Sequence, residues 1–116
     1  MALHECLIIK DNRILVLKNG NSWGLPSIEL DDNDEVEAIL KKNIKDNLGL
    51  IIEIIQVFNT YQIIKNDKNV NVNIFEANLL NGKLSSKNDF EASFFNIDEL
   101  SKLETSETLK LVVNDL

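Results

Sequence analysis

Six acidic residues crowd one short segment: Glu29, Asp31, Asp32, Asp34, Glu35 and Glu37. Immediately after them comes a helical pattern whose flank carries Asn43, Asp46 and Asn47. Converging carboxylate oxygens are what a hard divalent cation such as magnesium requires. The same acids also have a plain structural use. Asp32, Asn33 or Asp34 caps a helix, and the others favour its positive N-terminal end. Spacing alone favours this plain use for most of them. Other reactive residue types are scarce. His4 is the single histidine and Cys6 the single cysteine. Without a partner at ligand spacing, His4 reads as a strand residue rather than a metal ligand. Cys6 lies in an apolar strand pattern, so a buried, inert thiol is expected there rather than a nucleophile.

The elements that position these residues follow from periodicity. Val36, Leu40, Ile44 and Leu48 recur every fourth position, reinforced by Ile39, which predicts an amphipathic helix over 34–48. On its wheel Asn43 and Asn47 fall beside the apolar stripe, with Asp46 slightly further out. That flank is where a helix presents groups to a cleft. Gly49 ends the helix as a C′ glycine. Ahead of it, Leu3–Ile9 and Arg13–Lys18 read as the arms of a hairpin turned at Asp11-Asn12. Trp23 then stands beside a Gly-Leu-Pro turn, where it either plugs a core edge or stacks on a base, the first being favoured. Leu50–Ile64 reads as a strand with a bend or bulge, Lys65–Asn69 as a polar turn, and Val70–Leu80 as an alternating strand. Asn81-Gly82 carries a hairpin signal. Phe94-Phe95 opens a short strand, a turn of helix starts near Asp98, and Thr105–Asp115 closes the sequence as a helix capped by Thr105 or Ser106. No repeat or linker interrupts residues 1–116, so one domain of α/β class is expected.

Composition narrows the functional classes. The formal charge of −7 disfavours a nucleic-acid polymer as partner, though not a small phosphorylated ligand. No apolar run is long enough for a membrane helix, and no signal-peptide pattern opens the sequence. A lone cysteine suits a reducing compartment, so a cytoplasmic location is expected.

The stretch from Trp23 to Leu50, set in this order of elements, resembles the Nudix (MutT-like) hydrolase family. Trp23, Leu25 and Pro26 match the family's Trp-x-Leu-Pro-Gly-Gly lead-in, and Gly49-Leu50 match the end of its box. Counting back from Gly49 puts Ile44 on the apolar position and Lys42 on the arginine. Asn43, Asp46 and Asn47 fall on the three helix glutamates. Asp34 lies on the earlier glutamate, and Ser27-Ile28 replace the Gly-Gly pair. The hairpin ECLIIKDNRILVLKN and the late EASFFNIDEL are also similar to family members. The resemblance implies a Nudix-type α/β/α sandwich, a mixed sheet with one long helix at 34–48 and a C-terminal helix.

It also implies a site. In the family, helix glutamates hold magnesium or manganese against a diphosphate. By that correspondence the catalytic positions are Lys42, Asn43, Asp46 and Asn47 and the metal ligands Asp46 and Asp34, while Trp23 is the candidate for substrate binding from its own position. The box is degenerate, because two neutral amides do not replace two anions around a hard dication. Lys42 keeps a cation without an arginine's bidentate fork. The expectation is a Nudix-fold domain that binds a nucleotide-like ligand or a protein partner and hydrolyses weakly or not at all, with no cofactor needed. The first alternative is an active pyrophosphohydrolase with a rearranged Mg or Mn site, in which Asp46 is joined by Asp34, by Glu91 or by Glu37, although Glu37 falls on the apolar side of the wheel. The second is a structural module, for which Asn71, Asn73 and Glu76 offer a homodimer surface.

Overall fold

The computed structural model describes residues 2–31, 35–85 and 91–116. Its centre is strand β1 (Ala2–Lys10), buried from Ala2 to Ile8. Asp11 and Asn12 both take left-handed backbone angles (φ 52° and 62°), the geometry of a tight hairpin, and lead into β2 (Arg13–Asn19). Next come β3 (Ser22–Gly24), β4 (Ser27–Leu30), helix α1 (Val36–Leu48), β5 (Leu50–Lys65) and β6 (Lys68–Gly82). The chain closes with β7 (Glu91–Phe95), the short α2 (Ile97–Leu100) and α3 (Glu107–Asp115).

β1 changes partners along its length. Its first half pairs antiparallel with β4, with Ala2 opposite Leu30 and Glu5 opposite Ser27. Its far end pairs antiparallel with β2. On its other edge it runs parallel to β6, from Leu3 beside Val72 to Ile8 beside Ala77. β5 pairs antiparallel with β6, and β2 with β3 and β7. The sheet is therefore mixed, as expected. β4 and β2 thus take different ends of one edge of β1.

Two apolar cores flank the sheet. Leu40, Ile44 and Leu48 of α1 meet Cys6, Ile8, Leu15 and Ile52 on one side. Leu109 and Val112 of α3 meet Leu3, Leu7, Val16, Val72 and Ile74 on the other. Each fully buried leucine or isoleucine contributes roughly 2 kcal/mol relative to exposure, so the helical stripe read from the sequence anchors α1 in register. Burial holds the Cys6 thiol at a pKa of about 12, in keeping with an inert side chain.

Three local readings change. Glu35 is non-helical (φ −75°, ψ 71°) and occupies the N-cap position without a side-chain capping bond, so the helix starts at Val36 and not at 34. Glu37, expected on the apolar side of α1, is exposed. Asn81-Gly82 is not a hairpin turn: both residues extend β6, opposite Ile51 and Leu50. The turn that joins β5 to β6 is Asn66-Asp67 (φ 53° and 63°). Gly82 is needed for another reason. Its φ is 101°, and a Cβ there would overlap the carbonyl oxygen of Gly49. A dipeptide typical of a turn here serves a close approach between the end of β6 and the C-cap of α1.

Candidate functional site

A cleft of about 540 Å³ opens between the C-terminal half of α1, the end of β5, the β3–β4 corner and the start of α3. Asn43 and Asn47, one helical turn apart and half-buried, form one wall. Trp23, Gly24, Leu25 and Pro26 form the corner. Lys18 and Lys65 bring two cations to the rim, and Ser106, Glu107 and Thr108 bring the first turn of α3. A second hollow, of about 900 Å³, lies by the N-terminal turn of α1 among Glu37, Lys41, Glu53 and Thr60. None of Trp23, Lys42, Asn43, Asp46 or Asn47 lines it. His4, buried beneath it, is bonded to the Asn73 amide at 3.3 Å.

Trp23 combines the two uses its position allows. Its ring meets Phe95 edge-on at 5.1 Å between centroids, which ties it to the α3-side core. It also borders the cleft, with Lys18 Nζ 5.8 Å from the ring centroid. Its backbone fixes the entrance to α3. Trp23 N–H donates to the Glu104 carbonyl, and Ser106 N–H donates to the Trp23 carbonyl, each at 2.8 Å. The Ser106 hydroxyl then caps α3 by accepting from Leu109 N–H at 3.1 Å. The Trp-Gly-Leu-Pro corner and the first turn of α3 are thus one unit.

Ser27 and Ile28 enter β4 without a left-handed residue, so the side chains that replace Gly-Gly are carried on ordinary extended backbone. Ser27 stands opposite Glu5, and the carboxyl of Glu5 is the unexpected member of the cleft lining. It comes from an otherwise apolar stretch of β1 and is only 7% exposed. Burial pushes its pKa from 4.5 up to about 7, against the hydrogen bond of Ser27 and the charge of Lys65, which pull it down. Its Oε1 is buried without a hydrogen-bond partner among the described residues.

The remaining expected site residues are placed differently. Lys42 Nζ lies 2.6 Å from Asp46 Oδ2 on the exposed face of α1, and neither residue lines the cleft. Asp34 lies outside the described residues. Glu91 is exposed on β7, in register with Lys18. The structure therefore brings Trp23, Asn43 and Asn47 together and leaves Lys42 and Asp46 outside that group.

The arrangement of strands and helices matches many solved structures. A MutT Nudix hydrolase from Burkholderia pseudomallei superimposes with a TM-score of 0.84 at 20% identity, covering 97% of this chain and 95% of that one. The fold is the Nudix fold. A Nudix hydrolase from Nitrosomonas europaea gives 0.81 at 12% identity over 98% of this chain and 86% of that one. An ADP-ribose pyrophosphatase from Streptococcus suis 89-1591 gives 0.72 at 20% identity over 98% and 90%. No family model and no curated protein sequence matches this chain.

Among the described residues, the helix positions that face the cleft bring no charge to a magnesium or manganese ion. Two of the three helix positions face the cleft as uncharged amides, and the charged third pairs with Lys42 outside it. Among the described residues no three His, Cys, Asp or Glu side chains are grouped so as to hold a metal ion. Two acids line the cleft, Glu5 and Glu107, and Glu5 stands within the field of Lys65.

Sequence reasoning missed Glu5, Lys65 and the first turn of α3. For Glu5 a signal existed: one acid inside LHECLII, an otherwise largely apolar strand pattern. Lys65 and Ser106 to Thr108 carry no local signal, because only the pairing of distant strands brings them to Asn43.

Proposed function

We propose that this Nudix-fold chain binds a nucleotide-like ligand, in the manner of a nucleoside diphosphate linked to another moiety, and that it hydrolyses such a ligand weakly or not at all. One observation carries this reading: Asn43 and Asn47 face the cleft where the fold's resemblance calls for glutamates. An amide oxygen is a poor substitute for a carboxylate around a hard dication, because it brings no charge to offset the cost of dehydrating the ion. Amides are, however, serviceable ligand contacts, since each offers both donors and an acceptor.

The rest of the cleft suits binding. Trp23 offers a half-buried aromatic wall for a base. Lys18 and Lys65 supply local positive charge to a protein whose net charge is −7. A small phosphorylated molecule is held by such local charges even though a nucleic-acid polymer would be repelled.

Thermal unfolding with nucleoside diphosphates and nucleotide sugars, with and without Mg or Mn, tests the reading. Stabilisation that does not depend on the metal is the expected result. Stabilisation by none of them would sink the binding claim.

A further inference from the structure

Glu5 is not explained by packing. A buried carboxyl with an unsatisfied oxygen destabilises the protein that carries it, and an apolar residue would serve the β1 core better. Such a group calls for a partner that arrives from outside. Three observations define that partner. Glu5 lines the cleft, so the partner is the cleft's own ligand. Leu3, Leu25, Ile63 and Trp23 line the same cleft, which suits a flat, largely apolar ring. Lys65 already acts on the Glu5 carboxyl through its positive charge, which opposes a divalent cation there and leaves a neutral donor favoured. Oε1 itself is shut off from solvent, so a ligand would meet the side of the carboxyl that lines the cleft.

We propose that Glu5 is a specificity-determining residue of the cleft, whose carboxyl accepts a hydrogen bond from an exocyclic amino group on the ligand's base. The proposal rests on the nucleotide-binding reading above and names what that binding selects. No group among the described residues hydrogen-bonds Oε1, so the carboxyl keeps acceptor capacity for an amino group. A site built around a donor's partner rejects the analogue that lacks the donor, because its buried acceptor is then left unmet.

The test is calorimetric titration at about pH 8 of the unmodified protein, Glu5→Gln and Glu5→Leu. The probes are two pairs of nucleoside diphosphates that differ only by an amino group: ADP against purine riboside diphosphate, and GDP against IDP. 2′-Deoxy-ADP and Mn2+ alone complete the set. Removal of the amino group should weaken binding about tenfold in at least one pair, and by less than about twofold in Glu5→Leu. Glu5→Leu should also unfold at a higher temperature than the unmodified protein, which separates lost recognition from lost folding. Glu5→Gln, which keeps the shape and an acceptor, should retain part of the discrimination.

If the diphosphates bind and loss of the amino group costs nothing in either pair, this proposal fails while the binding reading stands. A loss seen only with 2′-deoxy-ADP assigns the open oxygen to a sugar hydroxyl and overturns it. Tight Mn2+ binding that Glu5→Gln abolishes makes Glu5 a metal ligand, which also overturns it. If no diphosphate binds at all, the nucleotide-binding reading falls and takes this proposal with it.

Discussion

Lys42 Nζ and Asp46 Oδ2 stand 2.6 Å apart along the exposed side of α1, four residues apart in sequence. This pair holds the one charge left on the three positions where the resemblance puts metal-binding glutamates. The hydrogen bond and charge of Asp46 raise the pKa of Lys42, which favours the charged ammonium beside that carboxylate. What remains of the box's charge is thus balanced on the helix surface, and the cleft wall is left to two amides.

Asp46→Ala should therefore change little. An exposed pair at this spacing is screened by salt and adds little to stability. Calorimetric titration with Mg and Mn should give no binding tighter than millimolar, before or after the substitution. Tight binding that disappears in Asp46→Ala would show Asp46 to be a metal ligand after all.

Asn43→Glu combined with Asn47→Glu should move the protein towards hydrolysis. The two side chains already face the cleft, and the change adds one methylene and one negative charge at each. The expected outcome is metal-dependent release of phosphate or nucleotide from dinucleotide polyphosphates or nucleotide sugars, raised tenfold or more in a coupled phosphate assay (about 1.4 kcal/mol of barrier). If the double variant binds Mn more tightly and still releases nothing, more than the ligand set has been lost.

Glu5 gives stability a pH dependence of definite sign. Its pKa is 4.5 when the chain is unfolded and about 7 when folded, because burial disfavours the carboxylate. Between those values the native state holds the extra proton, so this group's contribution is greatest below about pH 4.5 and falls as pH rises through 7. The total loss is roughly 3 kcal/mol. Lys65 is the charged neighbour that limits it, and Lys18 and Glu107 border the same cleft. Urea unfolding of the unmodified protein and Glu5→Gln between pH 4.5 and 8 should show the decline in the first and a flatter curve in the second. Parallel curves would place the Glu5 carboxyl in a wetter environment than its 7% exposure indicates.

The fold was legible where periodicity and turn chemistry act locally. Leu40, Ile44 and Leu48 are buried as read, though Ile39 of the same stripe is exposed, Gly49 takes the left-handed C-cap (φ 73°), and Ser106 caps α3. Asn81-Gly82 misled because the same dipeptide that suits a hairpin also supplies a glycine for a close backbone approach, and only the pairing of Gly82 with Leu50 distinguishes the two. The amide wall of the site was legible from the helix wheel. Glu5 was not, since a strand residue's surroundings depend on which strands join it. Its neighbours Ser27 and Lys65 come from β4 and from the end of β5.

The central claim is that the cleft binds without appreciable hydrolysis, and turnover by the unmodified protein tests it most directly. Nucleoside diphosphate sugars, ADP-ribose and dinucleotide polyphosphates would each be incubated with saturating Mg or Mn, and product release followed against a protein-free control. The account predicts release close to the uncatalysed background with every substrate. Turnover at ordinary enzymatic rates, on the order of 1 s⁻¹ or faster, would contradict it.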